Sequence, residues 1–437
     1  MKGRVLQKSL FLCVLLLCCC LSVSFAQKQT VRLNYWTFME VNKPYWEGRA
    51  EEYSKANPNV RIELSATNYP YEEMHEKLLM ATVSGSGAPE LCDVEIGKFG
   101  FFLRGEIPFY DLTDVVNKYK EKLLDIRLKA YEYKGKAYGF DYHIGAGLTY
   151  YNTDLFTKNG LRVDSIKTWD DFISAGKKIT KDTNGDGKSD IWMTDVETND
   201  LHIIKLLAMQ RGGGVYNGKG EIILASQANI DAIKFLQDLV FKHQIARIAP
   251  GGQHFDASYF PWVNEGNIAA IVMPQWYMGV MMSNMPDLNG KVAVRPLPRV
   301  VPGGKRSGMS GGTATVITKS INPKHLDIAK DFLAFGKLTR EAQILIWTRM
   351  GYDPYRMDVY DLPELKKPLP YFNNEPVAQM IKELWRSNDI PNDNMGPYYP
   401  EVLEQLRERI PYRAFQKRED PATILKDALK EVEEKIE

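Results

Sequence analysis

The sequence predicts an α/β protein, and three observations carry the reading. Period-two and helical hydrophobic patterns alternate from Val31 to Ile96, which argues for a mainly parallel sheet with helices on its faces. With 437 residues, 44% of them hydrophobic, the chain can bury a large core and has the length for two. A secretory leader comes first and leaves the mature chain one cysteine, Cys92, so packing rather than disulfide bonding must hold the fold.

The elements follow in order. VRLNYW, from Val31, alternates as a strand. In KPYWEGRAEEYSKANP, Trp46, Ala50, Tyr53 and Ala56 fall at helical spacing, Pro44 suits a helix start and Pro58 closes the segment. NVRIEL returns to period two. YEEMHEKLLMATVSGSG puts Met74, Leu78 and Ala81 on one helical face with Gly85 as its stop, and ELCDVEI is a third strand. Ligands of such sheets sit beyond the carboxyl ends of the strands, which singles out Trp36 to Glu40 and Glu95 to Phe99. The glycine-rich, aromatic stretch YGFDYHIGAGLTYYN, from Tyr138, suits a crossing between domains. Thr168 and Asp171 have capping-box spacing at the start of a helix. Later segments read as helix (NIDAIKFLQDLVFKHQ), strand (NIAAIVMP, KVAVRPLPRV, GGTATVITK), helix (KHLDIAKDFLAFGKL) and a mostly helical tail.

The leader has Lys2, Arg4 and Lys8 before an apolar run and Ser24-Phe25-Ala26 before Gln27. Cleavage after Ala26 is the preferred reading. The rival, lipidation at Cys20, is disfavoured because Cys19 occupies the preceding position where a small residue is usual. No later apolar run reaches transmembrane length. With 56 basic and 55 acidic residues the formal charge is +1 and no long run of one sign stands out, which indicates neither a nucleic-acid groove nor a polybasic membrane patch and points to a small partner with little or no charge.

Two motifs tempt. GMSGG, Gly308 to Gly312, matches a nucleophile elbow by letter, but the elbow needs a strand before its serine and a helix after it. Here a loop precedes Ser310 and a strand follows, so a bare-backbone approach to a ligand is the better reading. KDTNGDGKSDIW is the front half of a calcium loop, with Asp182, Asn184, Asp186, the Lys188 carbonyl and Asp190 as oxygen ligands for a structural ion. The bidentate Glu of a complete loop is missing: its position is Met193. The competing reading is an Asx-type turn joining helix to strand. The six histidines show no metal-binding spacing.

Aromatic residues stand where loops leave strands: Trp36, Phe38, Tyr142, Trp276 and Tyr352. An indole face packs well on the C–H face of a sugar ring. Trp276 is the strongest candidate because it directly ends an apolar strand.

Together, YWTF, YSKANPNVRIEL, KLLMATVSGSGAPELCDV, YEYKGKAYGFDY, LTYYNTDLFTKNGL with TWDDF, PWVNEGNIAAIVMPQW and INPKHLDIAKDFLAF occur in an order and spacing that resembles an extracellular sugar-type solute-binding protein (family 1), the receptor of an ABC importer. The resemblance runs over nearly all of the mature chain. It implies an α/β, two-lobed periplasmic-binding-protein-like fold with discontinuous lobes joined by hinge strands. One lobe is placed at 27–140 plus 297–345 and the other at 141–296 plus 346–437, after a signal peptide at 1–26. It further implies an exported monomer, periplasmic or at the cell surface. Such a protein needs no cofactor and delivers a di- or oligosaccharide to the permease's transmembrane subunits without making or breaking a bond. Carried over to this sequence, cleft contacts fall on Trp36, Phe38, Glu40, Glu95, Tyr142, His143, Trp276, Gly311, Gly312 and Tyr352. Where the family often has a further aromatic after the paired glycines, this chain has Thr313. The alternatives are a secreted glycoside hydrolase, which needs two carboxyl groups flanking a bond, and an exported sugar-sensing partner of a membrane receptor.

Overall fold

A computed structural model describes residues 28–391 and 394–436; the leader, its cleavage site and Cys20 lie outside the described residues. The strands are β1 (Gln29–Thr37), β2 (Val60–Asn68), β3 (Leu91–Glu95), the hairpin β4 (Glu132–Tyr133) and β5 (Lys136–Ala137), β6 (Gly147–Asn152), β7 (Thr194–Val196), β8 (Ala246–Ile248), β9 (Ala270–Pro274), β10 (Val292–Pro296) and β11 (Thr313–Ile317). Two sheets organise them, in the orders β11-β3-β1-β2 and β10-β6-β9, with β7 and β8 forming a separate pair.

In the first sheet β1 runs parallel to both β2 and β3, and β11 closes the edge antiparallel to β3. Val31, Leu33, Tyr35 and Thr37 of β1 are buried in alternation, the period that a strand covered on one face requires. Helix Asn42–Ala56 buries Tyr45, Trp46, Arg49, Ala50 and Tyr53, and its Trp46 lies on Phe332 of helix Leu326–Lys337 at 5.3 Å. A Cβ at Gly336 would come within 2.2 Å of the Trp46 ring, so the two helices approach this closely only because that position is glycine. Helix Tyr71–Ser84 ends at Gly85 in the left-handed conformation (φ 72°), as an αL cap demands.

The second sheet is antiparallel throughout, and every residue of its central strand β6 is buried. The strands of the first sheet fall within 27–140 and 297–345, and those of the second within 141–296. The lobes are therefore discontinuous, and the chain crosses between them at three places that lie side by side. Ile144 N–H donates to the Asp353 carbonyl (3.0 Å), Ser310 N–H to Gly145 (3.1 Å) and Gly147 N–H to Gly308 (2.9 Å). The Asp353 carboxylate accepts from Gly145 N–H (3.0 Å) and Ala146 N–H (3.1 Å). The third crossing reaches further than the boundary at 346 expected from the resemblance. Tyr355 N–H still donates to the Gln343 side chain (3.0 Å), and the Tyr355 carbonyl accepts from Leu124 N–H (2.9 Å). Residues 346–356 thus straddle the hinge: Tyr355 is held on the first lobe, while Asp353 N–H donates to the Gln275 side chain (2.8 Å) and Gln275 donates to the Gly351 carbonyl (2.8 Å) on the second.

Candidate functional site between the lobes

The first-lobe wall is built at the carboxyl ends of β1, β2 and β3. Trp36 is half-buried and meets Tyr69 edge to face at 5.3 Å. Phe38 does the same with Tyr71 at 5.2 Å and lies 5.2 Å from His75. Glu95 caps the short helix Ile96–Phe99 by accepting from Gly97 N–H (2.6 Å), and it also accepts from the Tyr71 hydroxyl (3.0 Å). Burial raises its pKa against the opposing pull of Lys205 and Arg407. His75 accepts the Glu95 N–H at Nε2 (3.0 Å), so its proton sits on Nδ1 and is donated to the Tyr71 carbonyl (2.7 Å). Burial holds His75 neutral, with a pKa near 3.

Trp276 follows β9 and forms the opposite wall. Its indole N–H donates to the Ser310 carbonyl (2.9 Å), Phe255 stacks on it at 5.8 Å and 17°, and His202 meets it edge-on at 5.0 Å. His202 also lies 2.9 Å through Nδ1 from the Ser310 hydroxyl and 3.2 Å through Nε2 from Asp200. A Cβ at Gly311 would come within 2.7 Å of the Trp276 nitrogen, and one at Gly312 within 2.1 Å of the Arg127 guanidinium. Both glycines (φ 79° and 153°) are required by close approach as well as by conformation. Behind Phe255, His254 is buried between Asp195 (2.8 Å) and Glu197 (3.4 Å). Burial opposes its charge, but Asp195 and then Glu197 outweigh burial and push it up to about 9.

The lobes touch at the rim of this cleft. Residues Ile96–Leu103 of the first lobe pack on helix Tyr399–Arg409 of the second. Pro400, the Pro397 carbonyl and the Gly396 carbonyl lie so close to Gly100 that an added Cβ would meet them at 2.8, 2.9 and 3.0 Å. Arg104 donates to the Pro397 carbonyl (2.8 Å) and pairs with Glu401. Arg407, 4.0 Å from Asp200, adds positive potential near Tyr71 and Glu95 on the other wall. The arrangement brings the two lobes into contact beside three adjacent crossings of the chain.

Residues 40–342 match the family model described as bacterial extracellular solute-binding protein. The chain belongs to that family. This solute-binding protein is 36% identical over 380 residues to the arabinooligosaccharide-binding protein of Halalkalibacterium halodurans, covering 86% of this chain and 83% of the relative. It is 38% identical over 360 residues to the protein of the same name from Bacillus subtilis, covering 82% and 81%. Among solved structures it is similar in fold to the galacto-N-biose-/lacto-N-biose I-binding protein of the ABC transporter from Bifidobacterium longum, in complex with lacto-N-biose. That match has a TM-score of 0.73 at 21% identity and covers 92% of this chain and 96% of the other.

Of the residues named from sequence, Trp36, Phe38 and Glu95 share the first wall, and Trp276, Gly311 and Gly312 lie where the second wall meets the hinge. Four sit elsewhere. Glu40 is exposed in the turn before helix Asn42–Ala56. Tyr142 is fully buried. Its hydroxyl donates to Asp93 (3.0 Å) and accepts from the Trp46 indole (2.6 Å), and Lys337 lies 3.2 Å over its ring. It is a packing and hydrogen-bonding post of the hinge. His143 and Tyr352 are buried together at 5.0 Å, and burial brings His143 down to about 4.

Sequence reasoning missed Tyr71, His202, Phe255 and Arg407. The rule that ligands gather beyond strand ends, applied to β2 as well as to β1 and β3, would have found Tyr71. Arg407 is one of two basic residues in the last turn of an amphipathic helix, and nothing local distinguishes it.

In residues 182–190 the candidate calcium ligands bond within the loop itself. Asp182 accepts from the backbone N–H groups of Asn184, Gly185 and Gly187 (3.1, 2.6 and 2.8 Å). Asp186 accepts from Lys188 N–H (2.8 Å), and Asp190 from the Thr183 hydroxyl (2.6 Å) and the Asn184 amide (3.0 Å). The oxygens turn onto the loop's own donors, as in nested Asx turns. Among the described residues no group of three or more His, Cys, Asp or Glu is arranged to hold a metal ion.

Proposed function

We propose that this solute-binding protein is an exported, monomeric receptor for a neutral arabinose-containing oligosaccharide, which it captures between its lobes and presents to an ABC permease. The observation that carries the reading is the paired wall: Trp36 and Phe38 on one lobe, Trp276 and Phe255 on the other, with Glu95, Tyr71 and Asp200 as hydrogen-bonding groups at their edges. Aromatic faces take the C–H surfaces of sugar rings, and directional polar groups take their hydroxyls. The substrate class is supported by the names of the two relatives, each matched over more than four-fifths of its length. Mechanistically, a sugar that touches both walls binds the closed form better than the open one. That differential affinity moves the population toward closure.

The carboxylates at the cleft support binding without bond cleavage. Glu95 is tied to Gly97 and Tyr71, and Asp200 lies against His202 and Arg407, so neither stands as an unengaged acid or base. Ser310, His202 and Asp200 lie in nucleophile-relay order. Ser310 is nevertheless 2% exposed in a loop that leads into β11, with its carbonyl and amide both engaged, and the strand-then-helix elbow is absent.

A thermal-shift panel tests the reading. α-Linked arabinotriose raises the melting temperature because it binds only the folded state, the trisaccharide is recovered uncleaved, and the secreted protein begins at Gln27. A panel in which peptides or polyamines shift the protein and no sugar does would refute the proposal. Release of arabinose would favour the hydrolase, and a lipid-modified Cys20 would replace the cleavage site.

A further inference from the structure

We propose that His202 is a positioning residue that locks the Trp276 wall to the hinge, and that its protonation tightens sugar binding. The proposal rests on the receptor reading and concerns one contact within it. His202 opens helix His202–Gln210 in the second lobe and touches three groups at once: Asp200 at 3.2 Å, the Ser310 hydroxyl at 2.9 Å and the Trp276 ring at 5.0 Å. Ser310 belongs to the crossing, since its N–H donates to Gly145 (3.1 Å), and its carbonyl takes the Trp276 N–H (2.9 Å). Two second-lobe side chains therefore grip one hinge residue, each at a different atom.

The proton decides how that grip is made. Asp200 can only accept, so a neutral imidazole places its single proton on Nε2 and its Nδ1 accepts from the Ser310 hydroxyl. A charged imidazolium donates from both nitrogens. Its Nδ1–H then goes to the Ser310 oxygen, a charge-assisted bond, and the hydroxyl turns its own proton away from the imidazole. The groups facing His202 are Asp200 just before its helix, Glu197 at the end of β7, Lys205 on its own helix and Arg407 from helix Tyr399–Arg409, with Asp195 and His254 behind Glu197. Burial opposes the charge, but Asp200 and then Glu197 outweigh burial and Lys205, and His202 titrates above the ordinary 6.5. Because the folded value is raised, the charged grip is complete below the ordinary value and is lost as pH rises through the raised one.

The test is calorimetric titration with arabinotriose from about pH 5.5 to about pH 8.5 on the wild type, H202Q and S310A, beside tryptophan fluorescence of the sugar-free proteins over the same range. Wild-type affinity is predicted to fall about fivefold across the histidine transition, the difference between a charge-assisted and a neutral hydrogen bond. Its sugar-free fluorescence follows the same midpoint, because an imidazolium beside an indole quenches it. H202Q loses both dependences while melting cooperatively, and S310A keeps the fluorescence transition but loses the dependence of affinity. An H202Q protein that titrates like the wild type overturns the proposal. A fluorescence transition that vanishes in H202Q when no protein binds arabinotriose faults the receptor reading instead, and leaves the His202–Trp276 coupling supported.

Discussion

Trp276 holds its position through contacts of three kinds: the N–H bond to Ser310, the stacked Phe255 and the edge of His202. Phe255 is 40% exposed, so the aromatic pair extends from the hinge toward solvent and offers more than one ring's length of apolar surface. Replacing Trp276 by Ala is predicted to weaken arabinotriose binding by about 2 kcal/mol, roughly thirtyfold in Kd, while the protein still melts cooperatively. Unchanged affinity would remove Trp276 from the site. At this scale the sequence was informative about placement, since Trp36, Glu95 and Trp276 do lie at or just beyond the ends of β1, β3 and β9. The hydrogen bonding of Tyr142 was not legible. The residue sits at a glycine-rich crossing that suits ligand contact, yet Asp93, Thr315 and Trp46 from three separate segments converge on its hydroxyl. Only the folded chain brings those groups together.

Among the elements, helix Trp169–Ile179 was the most legible. Thr168 accepts from Asp171 N–H (3.2 Å) and Asp171 accepts from Thr168 N–H (2.9 Å), the reciprocal pair that the T-x-x-D spacing encodes. The alternating strands and helices between residues 29 and 95 were equally readable, because each carries its own period. The contact of residues 96–103 with helix Tyr399–Arg409 was not, since the two segments are separated by some three hundred positions in the chain and no local pattern encodes such a pairing. That contact makes a sharp prediction. Gly100 has helical φ and ψ, so Ala is compatible with its backbone, yet the added methyl would press on Pro400 and two carbonyls at 2.8–3.0 Å. G100A is predicted to hinder closure and weaken sugar affinity about tenfold, with little change in the melting temperature of the sugar-free protein. Equal affinity in G100A and wild type would mean that this face does not form on closing.

On the scale of the whole molecule, one hydrophobic core runs from the first sheet through the crossings to β6, β9 and β10, and a second fills the rest of the second lobe. The hinge is stiffened by polar pairs within that continuous core. Arg127 and Asp141 form a fully buried ion pair, and Thr313 N–H donates to Asp141 (3.1 Å). Lys337 donates to the Phe140 and Thr313 carbonyls (2.9 and 3.1 Å). Burial lowers Lys337 to about 7 and raises Asp353 to about 7, the mark of charges that the surrounding structure tolerates only through these bonds. A scaffold of this kind lets two lobes move as bodies while the crossings hold their register, and sugar contacts on both walls then bias it toward closure. Small-angle scattering with and without saturating arabinotriose tests that claim most directly. The account predicts that the radius of gyration falls when the sugar is added to wild-type protein. A radius that stays fixed while the same sugar raises the melting temperature would contradict it.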